Sequence, residues 1–122
     1  MRRLLFLLIL LCAFASNRPG DVIADKRINV FVSILPQAYF AERIGGDRLS
    51  VEVMVPPGAH PAVYEPSPKQ MTALGRARIY FSIGVPFENA WMDKIRSANP
   101  DMRVVPTDAG IQKRVIDPEH DH

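Results

Sequence analysis

Apolar and polar positions alternate in two segments of the chain, and this pattern predicts two β-strands. Residues 28–34 (INVFVSI) and 49–55 (LSVEVMV) place an apolar side chain at every second position and are rich in β-branched residues. Residues 79–83 (IYFSI) form a continuous apolar run that ends at a glycine, which is typical of a strand buried on both faces. Residues 102–105 predict a fourth, short strand.

A first helix is predicted between the first two strands. It begins at Pro36, because proline fits the first turn of a helix, and the glycine pair at 45–46 ends it. Tyr39, Phe40 and Ile44 fall on one stripe of this helix.

Two further helices are predicted in the second half of the chain. Ser67 and Gln70 form a capping box around Pro68, and Met71 and Leu74 of the same helix point inward. The segment 87–98 is amphipathic because apolar residues recur at steps of four, namely Phe87, Trp91 and Ile95.

The order β-α-β-α-β-α-β predicts an α/β fold with a four-stranded parallel sheet flanked by helices, spanning residues 28–108. In such sheets, ligands bind beyond the carboxyl ends of the strands. The loops predicted at that edge are 33–36, 56–66, 84–88 and 106–108.

Residues 1–15 are typical of a secretory signal peptide. Two arginines precede the apolar run 4–11, and Ala13-Phe14-Ala15 supplies the small residues of a cleavage site. Cleavage is predicted after Ala15, with 22–24 as a second candidate. A transmembrane anchor is the alternative, although the run is shorter than the roughly 20 residues that span a bilayer. Residues 16–27 are interpreted as a flexible leader.

The composition of the exported chain excludes several classes of protein. The precursor has 15 Lys+Arg and 13 Asp+Glu, so loss of Arg2 and Arg3 leaves it neutral, with no sign of nucleic-acid binding. Cys12 is the single cysteine, and a lipid anchor there is an alternative, although Leu11 precedes it where a small residue is usual. The sequence contains no P-loop, no HExxH and no nucleophile elbow, so an enzyme is not predicted.

His60 is the candidate ligand in the proline-rich loop 56–66. Imidazole is a common ligand for zinc and also binds manganese, and prolines reduce the entropy lost when a loop side chain is held. Taken by itself, a lone histidine is also compatible with a solvated loop residue.

The stretches VEVMVPPGAHPAVYEPSPKQM and ARIYFSIGVPFENAW resemble the zinc/manganese solute-binding proteins of ABC importers over residues 28–112. In that family a strand runs into a loop of the form P-G-x-x-P-H-x-Y-E-P, whose histidine is a metal ligand. The residues that match are Gly58, Pro61, Tyr64, Glu65, Pro66 and Pro68, followed by Gly84, Glu88 and Trp91.

The resemblance implies one lobe of a two-lobed metal receptor located in the periplasm. It implies that zinc or manganese is the transported ligand rather than a catalytic cofactor. The partner implied is the membrane permease of an ABC importer, and no integral membrane segment is expected after signal cleavage. The family's ligand position falls on Ala62, which cannot bind metal, and His60 lies two residues earlier.

Family members are more than twice as long as this chain, and their second lobe supplies the other metal ligands. We therefore expect a truncated form, with a non-binding remnant domain or interaction module as the alternative. The polar tail 109–122 ends in EHDH and resembles the start of a His-rich loop. His120 and His122 are accordingly auxiliary candidate ligands, and a structureless polar end is the other interpretation of this tail.

Overall fold

The computed structural model describes residues 26–114, and these form one parallel sheet with helices on both faces. The predicted signal peptide, Cys12, His120 and His122 lie outside the described residues. In chain order the elements are β1 (Ile28–Ile34), α1 (Leu35–Gly45), a 3-10 turn (Gly46–Arg48), β2 (Leu49–Val55), α2 (Pro68–Leu74), β3 (Ile79–Ser82), α3 (Pro86–Ala98) and β4 (Arg103–Pro106).

The strands are ordered β2-β1-β3-β4, and every neighbouring pair is parallel. This confirms the predicted four-stranded parallel sheet, with element ends within one residue of those expected. The chain first moves from β1 to β2 and then crosses back to β3 and β4. Because such crossovers are right-handed, α1 lies on one face of the sheet, whereas α2 and α3 lie on the other.

The main core lies between the sheet and the pair α2 and α3. It contains the largest fully buried side chains of the described residues, among them Phe31, Met54, Leu74, Tyr80, Phe87 and Ile95. Leu74 and Ile95 therefore face inward as their helical spacing predicts, and Met71 and Trp91 pack against the cluster while half-buried.

The apolar stripe of α1 is exposed rather than buried against the sheet. Tyr39, Phe40 and Ile44 are 57%, 63% and 80% exposed, and the buried residues of α1 are Gln37 and Ala38. Helix α1 packs mainly on β1 and β2. The stripe therefore predicts the helix correctly, but its side chains remain outside the core formed by the described residues.

The predicted capping box at the start of α2 is present. The Ser67 hydroxyl accepts a hydrogen bond from the Gln70 N–H at 3.2 Å, and Gln70 Oε1 accepts one from the Ser67 N–H at 3.0 Å.

Replacing Ser67 with Ala should lower the free energy of unfolding by about 1 kcal/mol, because an N–H at the start of α2 loses its partner. Chemical denaturation measures the loss. Ser97, an exposed residue near the end of α3, provides the matched serine control, and its alanine variant should change stability by less than about 0.5 kcal/mol. Equal losses in the two variants would contradict a capping role.

Candidate functional site

All four strands end at the same edge of the sheet, and the loops that leave this carboxyl edge form the candidate site. The loop 56–66 follows β2 and is the longest of them. The segments after β1 and β3 are short, because α1 begins directly after β1 and α3 begins at Pro86.

The described part of the chain contains no helix with the length and apolar character that a membrane span requires.

A buried carboxylate, Glu88, ties two of these short segments together. It lies in the first turn of α3 and is 7% exposed. Its Oε1 accepts hydrogen bonds from the Ser33 hydroxyl and from the Ile83 N–H at 2.8 Å, and its Oε2 accepts one from the Gly84 N–H at 2.7 Å. The N-terminal end of a helix also favours a negative group. Glu88 therefore fixes the turn between β3 and α3 against the end of β1.

Tyr80 also belongs to this buried network. Its hydroxyl lies 2.8 Å from the Ser33 hydroxyl oxygen, and both residues are fully buried. Since Ser33 donates its single proton to Glu88, the Tyr80 hydroxyl is the donor to Ser33. The phenol is protonated and able to donate at neutral pH, and burial raises the pKa of Tyr80 further above its ordinary value.

Gln37 joins the ends of β1, β3 and β4. Its Oε1 accepts from the N–H groups of Ser33 and Ile34 at 3.1 and 3.2 Å. Its Nε2 donates to the Phe81 carbonyl at 3.2 Å and to Thr107 Oγ1 at 3.1 Å. The side-chain amide of Gln37 therefore both accepts and donates hydrogen bonds, and these bonds hold the ends of β1, β3 and β4 together at the carboxyl edge.

The loop 56–66 is anchored at its far end by Gln70 and Tyr64. The Tyr64 hydroxyl donates to Gln70 Oε1 at 2.6 Å, and Gln70 Nε2 donates to the Met54 carbonyl at 2.8 Å. The Tyr64 ring also lies 6.0 Å from the Phe87 ring, centroid to centroid. The shared tyrosine of the loop motif is therefore a packing and anchoring residue.

His60, the predicted ligand, is exposed on this loop at the carboxyl edge. Its Nδ1 accepts a hydrogen bond from the Ala62 N–H at 3.2 Å, which places the proton of the neutral ring on Nε2. A histidine that binds a metal through one ring nitrogen usually donates the N–H of the other ring nitrogen to an acceptor. In His60, Nδ1 faces the Ala62 N–H, which is itself a donor. Metal binding through either nitrogen therefore requires the Ala62 N–H bond to be broken.

Other potential ligands do not gather around His60 within the described residues. No group of three or more His, Cys, Asp or Glu side chains suited to a metal ion occurs in residues 26–114. Ala62 is exposed at the family's ligand position. His120 and His122 lie outside the described residues, so His60 is the one candidate ligand that residues 26–114 place at this edge.

An ion pair lies at the carboxyl edge beside β4. Lys113 Nζ lies 2.7 Å from Asp108 Oδ2, and this contact lowers the pKa of the Asp108 carboxyl. Gly84 has a φ of 78° and sits against the pair, with Asp108 Oδ2 2.8 Å from the place a Cβ would take. The positive φ therefore favours glycine at this position, whereas the nearby Asp108 and Lys113 side chains could shift to admit a Cβ.

Comparison with known proteins identifies relatives for most of the chain. The family described as ZnuA, zinc-uptake complex component A, periplasmic, matches residues 30–122. A metal ABC transporter substrate-binding lipoprotein of Lactococcus lactis subsp. lactis is 31% identical over 103 residues, which are 80% of this chain and 33% of that protein. A manganese ABC transporter substrate-binding lipoprotein, scaA of Streptococcus gordonii, is 29% identical over 78% of this chain and 34% of its own length.

Solved structures show the same fold. A crystal structure of ZnuA is 41% identical with a TM-score of 0.70, covering 74% of this chain and 35% of that chain. A zinc-bound ZnuA deletion mutant is 43% identical with a TM-score of 0.67, over 70% of this chain and 33% of its own. A Mn-bound periplasmic metal-binding protein from Candidatus Liberibacter asiaticus, at 15% identity and a TM-score of 0.67, shares the fold over 77% of this chain and 35% of its own. The chain spans about a third of the length of the curated relatives it matches.

Proposed function

The chain belongs to the periplasmic zinc-uptake complex component A family, and we propose that it is one lobe of a solute-binding protein that captures zinc or manganese for an ABC importer. The observation that carries this proposal is the loop 56–66, which holds an exposed His60 at the carboxyl edge of the sheet. The identity of 43% to a zinc-bound relative supports zinc as the first ion to test.

The proposal extends to location and partners. The curated relatives are named as substrate-binding lipoproteins, and the family is described as periplasmic, so we place this chain outside the cytoplasm. Its partner there is the permease of the importer. Binding and delivery of an ion require no bond to be made or broken in a substrate, and we propose no enzymatic activity.

A second function, that of a folded domain or interaction module without metal capture, is favoured by the state of His60. Its Nδ1 already accepts the Ala62 N–H, and residues 26–114 contain no cluster of three candidate ligands. A closed zinc site needs four ligands, or three together with a water molecule. Metal titration distinguishes the two functions.

We predict that the exported chain binds zinc with at best micromolar affinity, equivalent to about −8 kcal/mol. His60→Ala should remove part of this affinity, and deletion of His120 to His122 should remove most of the remainder, since these are the only imidazoles of the chain. Isothermal titration calorimetry with zinc and with manganese measures both effects. A single nanomolar site that is insensitive to His60→Ala would show that other residues are the ligands.

A gain-of-function pair tests the family's ligand position in the same assay. Ala62→His places an imidazole where the family has its ligand, and Val63→His places one on the adjacent residue, which is 78% exposed. Ala62→His should bind zinc about tenfold more tightly than the original chain, while Val63→His should leave the affinity unchanged. Equal gains in both variants would indicate nonspecific imidazole binding on the loop.

A further inference from the structure

Four arginines line a cavity at the amino edge of the sheet, opposite the candidate metal site. The cavity has a volume of about 1060 Å³, and its lining residues include a single acidic side chain, Asp101. The arginines are Arg27, Arg76, Arg78 and Arg103, and all four are exposed.

The parallel register brings three of these arginines onto neighbouring strands. Arg27 directly precedes β1, Arg78 directly precedes β3, and Arg103 is the first residue of β4. The Arg78 N–H donates to the Asn29 carbonyl at 2.9 Å, and the Arg103 N–H donates to the Arg78 carbonyl at 3.0 Å. Ile79 is the register partner of Arg103, so Arg78 and Arg103 are offset by one residue on strands about 4.8 Å apart, and the positive side chains begin in a staggered row.

Three of the cavity's arginines are not neutralised by an acidic side chain within the described residues. Arg76, Arg78 and Arg103 form no ion pair within residues 26–114. The carboxyl ends of α2 and α3 reach the same cavity and contribute a partial negative charge of roughly −0.5 each. However, Asn99 already donates to the carbonyls of Leu74 and Ala77 at 3.0 and 2.8 Å, so the Leu74 carbonyl at the end of α2 does not need an arginine as its partner. Like charges on neighbouring strands repel each other, and a bound anion would remove this cost.

We propose that the arginine-lined amino edge binds the phosphodiester headgroups of an anionic membrane surface. Guanidinium groups match phosphate oxygens in a two-pronged geometry, and an open row of them suits a surface of many headgroups better than a single enclosed ion. Lys26, which directly precedes Arg27 in the chain, adds one further positive charge near this edge. The inference rests on the proposed location outside the cytoplasm, where such a surface is available.

Vesicle sedimentation of the exported chain tests the proposal. The experiment compares vesicles of phosphatidylcholine alone with vesicles that also contain phosphatidylglycerol, in the presence of EDTA so that the result is independent of metal binding. The triple variant Arg76→Gln, Arg78→Gln, Arg103→Gln should bind the anionic vesicles roughly 100-fold more weakly. Each basic residue near an anionic surface raises the affinity roughly fivefold, and the variant removes three of them. Binding of the original chain should also fall as salt is raised.

The control carries the same change in charge elsewhere on the molecule. Lys69, Arg96 and Arg114 are exposed and do not line the cavity, and their triple glutamine variant should bind the anionic vesicles nearly as well as the original chain. Equal losses in both triple variants, or equal binding to neutral and anionic vesicles, would overturn the proposal. Saturable binding of inorganic phosphate without binding to anionic vesicles would also overturn it, since it would indicate a small-anion site.

Discussion

Replacing Glu88 with Ala should lower the free energy of unfolding by about 3–5 kcal/mol, the largest effect we expect at the carboxyl edge. Three donors lose their acceptor in this variant: the Ser33 hydroxyl and the N–H groups of Ile83 and Gly84. Ser33 is buried and Ile83 is half-buried, so water replaces the carboxylate poorly at these two donors, whereas Gly84 is exposed. Such a loss is a large fraction of the stability of a small domain.

The matched control for this prediction is Glu42→Ala on α1. Glu42 is exposed, and its replacement should change stability by no more than about 0.5 kcal/mol. The stability of the Glu88→Gln protein should lie between those of the two alanine variants. The amide oxygen of Gln still accepts a hydrogen bond, but the amide nitrogen is a donor and faces another donor. Urea denaturation followed by circular dichroism measures all three variants. A Glu88→Ala protein as stable as the Glu42→Ala protein would show that the network contributes nothing to the fold.

The fold itself was predictable from the sequence because its signals are local. Alternation in 28–34 and 49–55 identifies half-buried strands, and proline and glycine mark where helices begin and end. Strands that alternate with helices leave few topologies once crossovers must be right-handed. The observed order β2-β1-β3-β4 is one of them.

The hydrogen bonds between side chains at the carboxyl edge were not predictable, because they join residues far apart in sequence. Ser33 and Glu88 are separated by 55 residues, and Gln37 and Thr107 by 70. A polar serine near the end of the apolar strand 28–34 was the one visible signal, and it does not indicate its partner. Gln70 was recognised as part of a capping box, while its bond to the Met54 carbonyl depends on how α2 packs against β2.

The candidate metal site shows the same division between local and long-range information. The sequence placed the loop 56–66 at the carboxyl edge because the loop follows a strand of a parallel sheet, and the structure has it there. The bond from the Ala62 N–H to His60 depends on the conformation of the turn, which composition alone does not determine. Whether His60 binds metal remains a prediction, to be tested by the titrations above.

Ile95→Ala on α3 should lower the free energy of unfolding by about 2–5 kcal/mol. Ile95 is fully buried in the core between the sheet and α2 and α3, so truncation removes apolar contacts and leaves a cavity that rigid neighbours fill incompletely. Its matched control is Ile44→Ala on α1. Ile44 belongs to the stripe of α1 and is 80% exposed, so this variant should lose less than about 0.5 kcal/mol.

The comparison of the two isoleucines decides whether helical periodicity alone or the exposure of the side chain in the structure identifies the core. Both residues belong to apolar stripes that look alike in the sequence, yet Ile95 is fully buried in the core whereas Ile44 is 80% exposed. Thermal and urea denaturation of the exported chain should therefore separate the variants by at least about 2 kcal/mol. Equal losses in the two variants would contradict the exposure of Ile44.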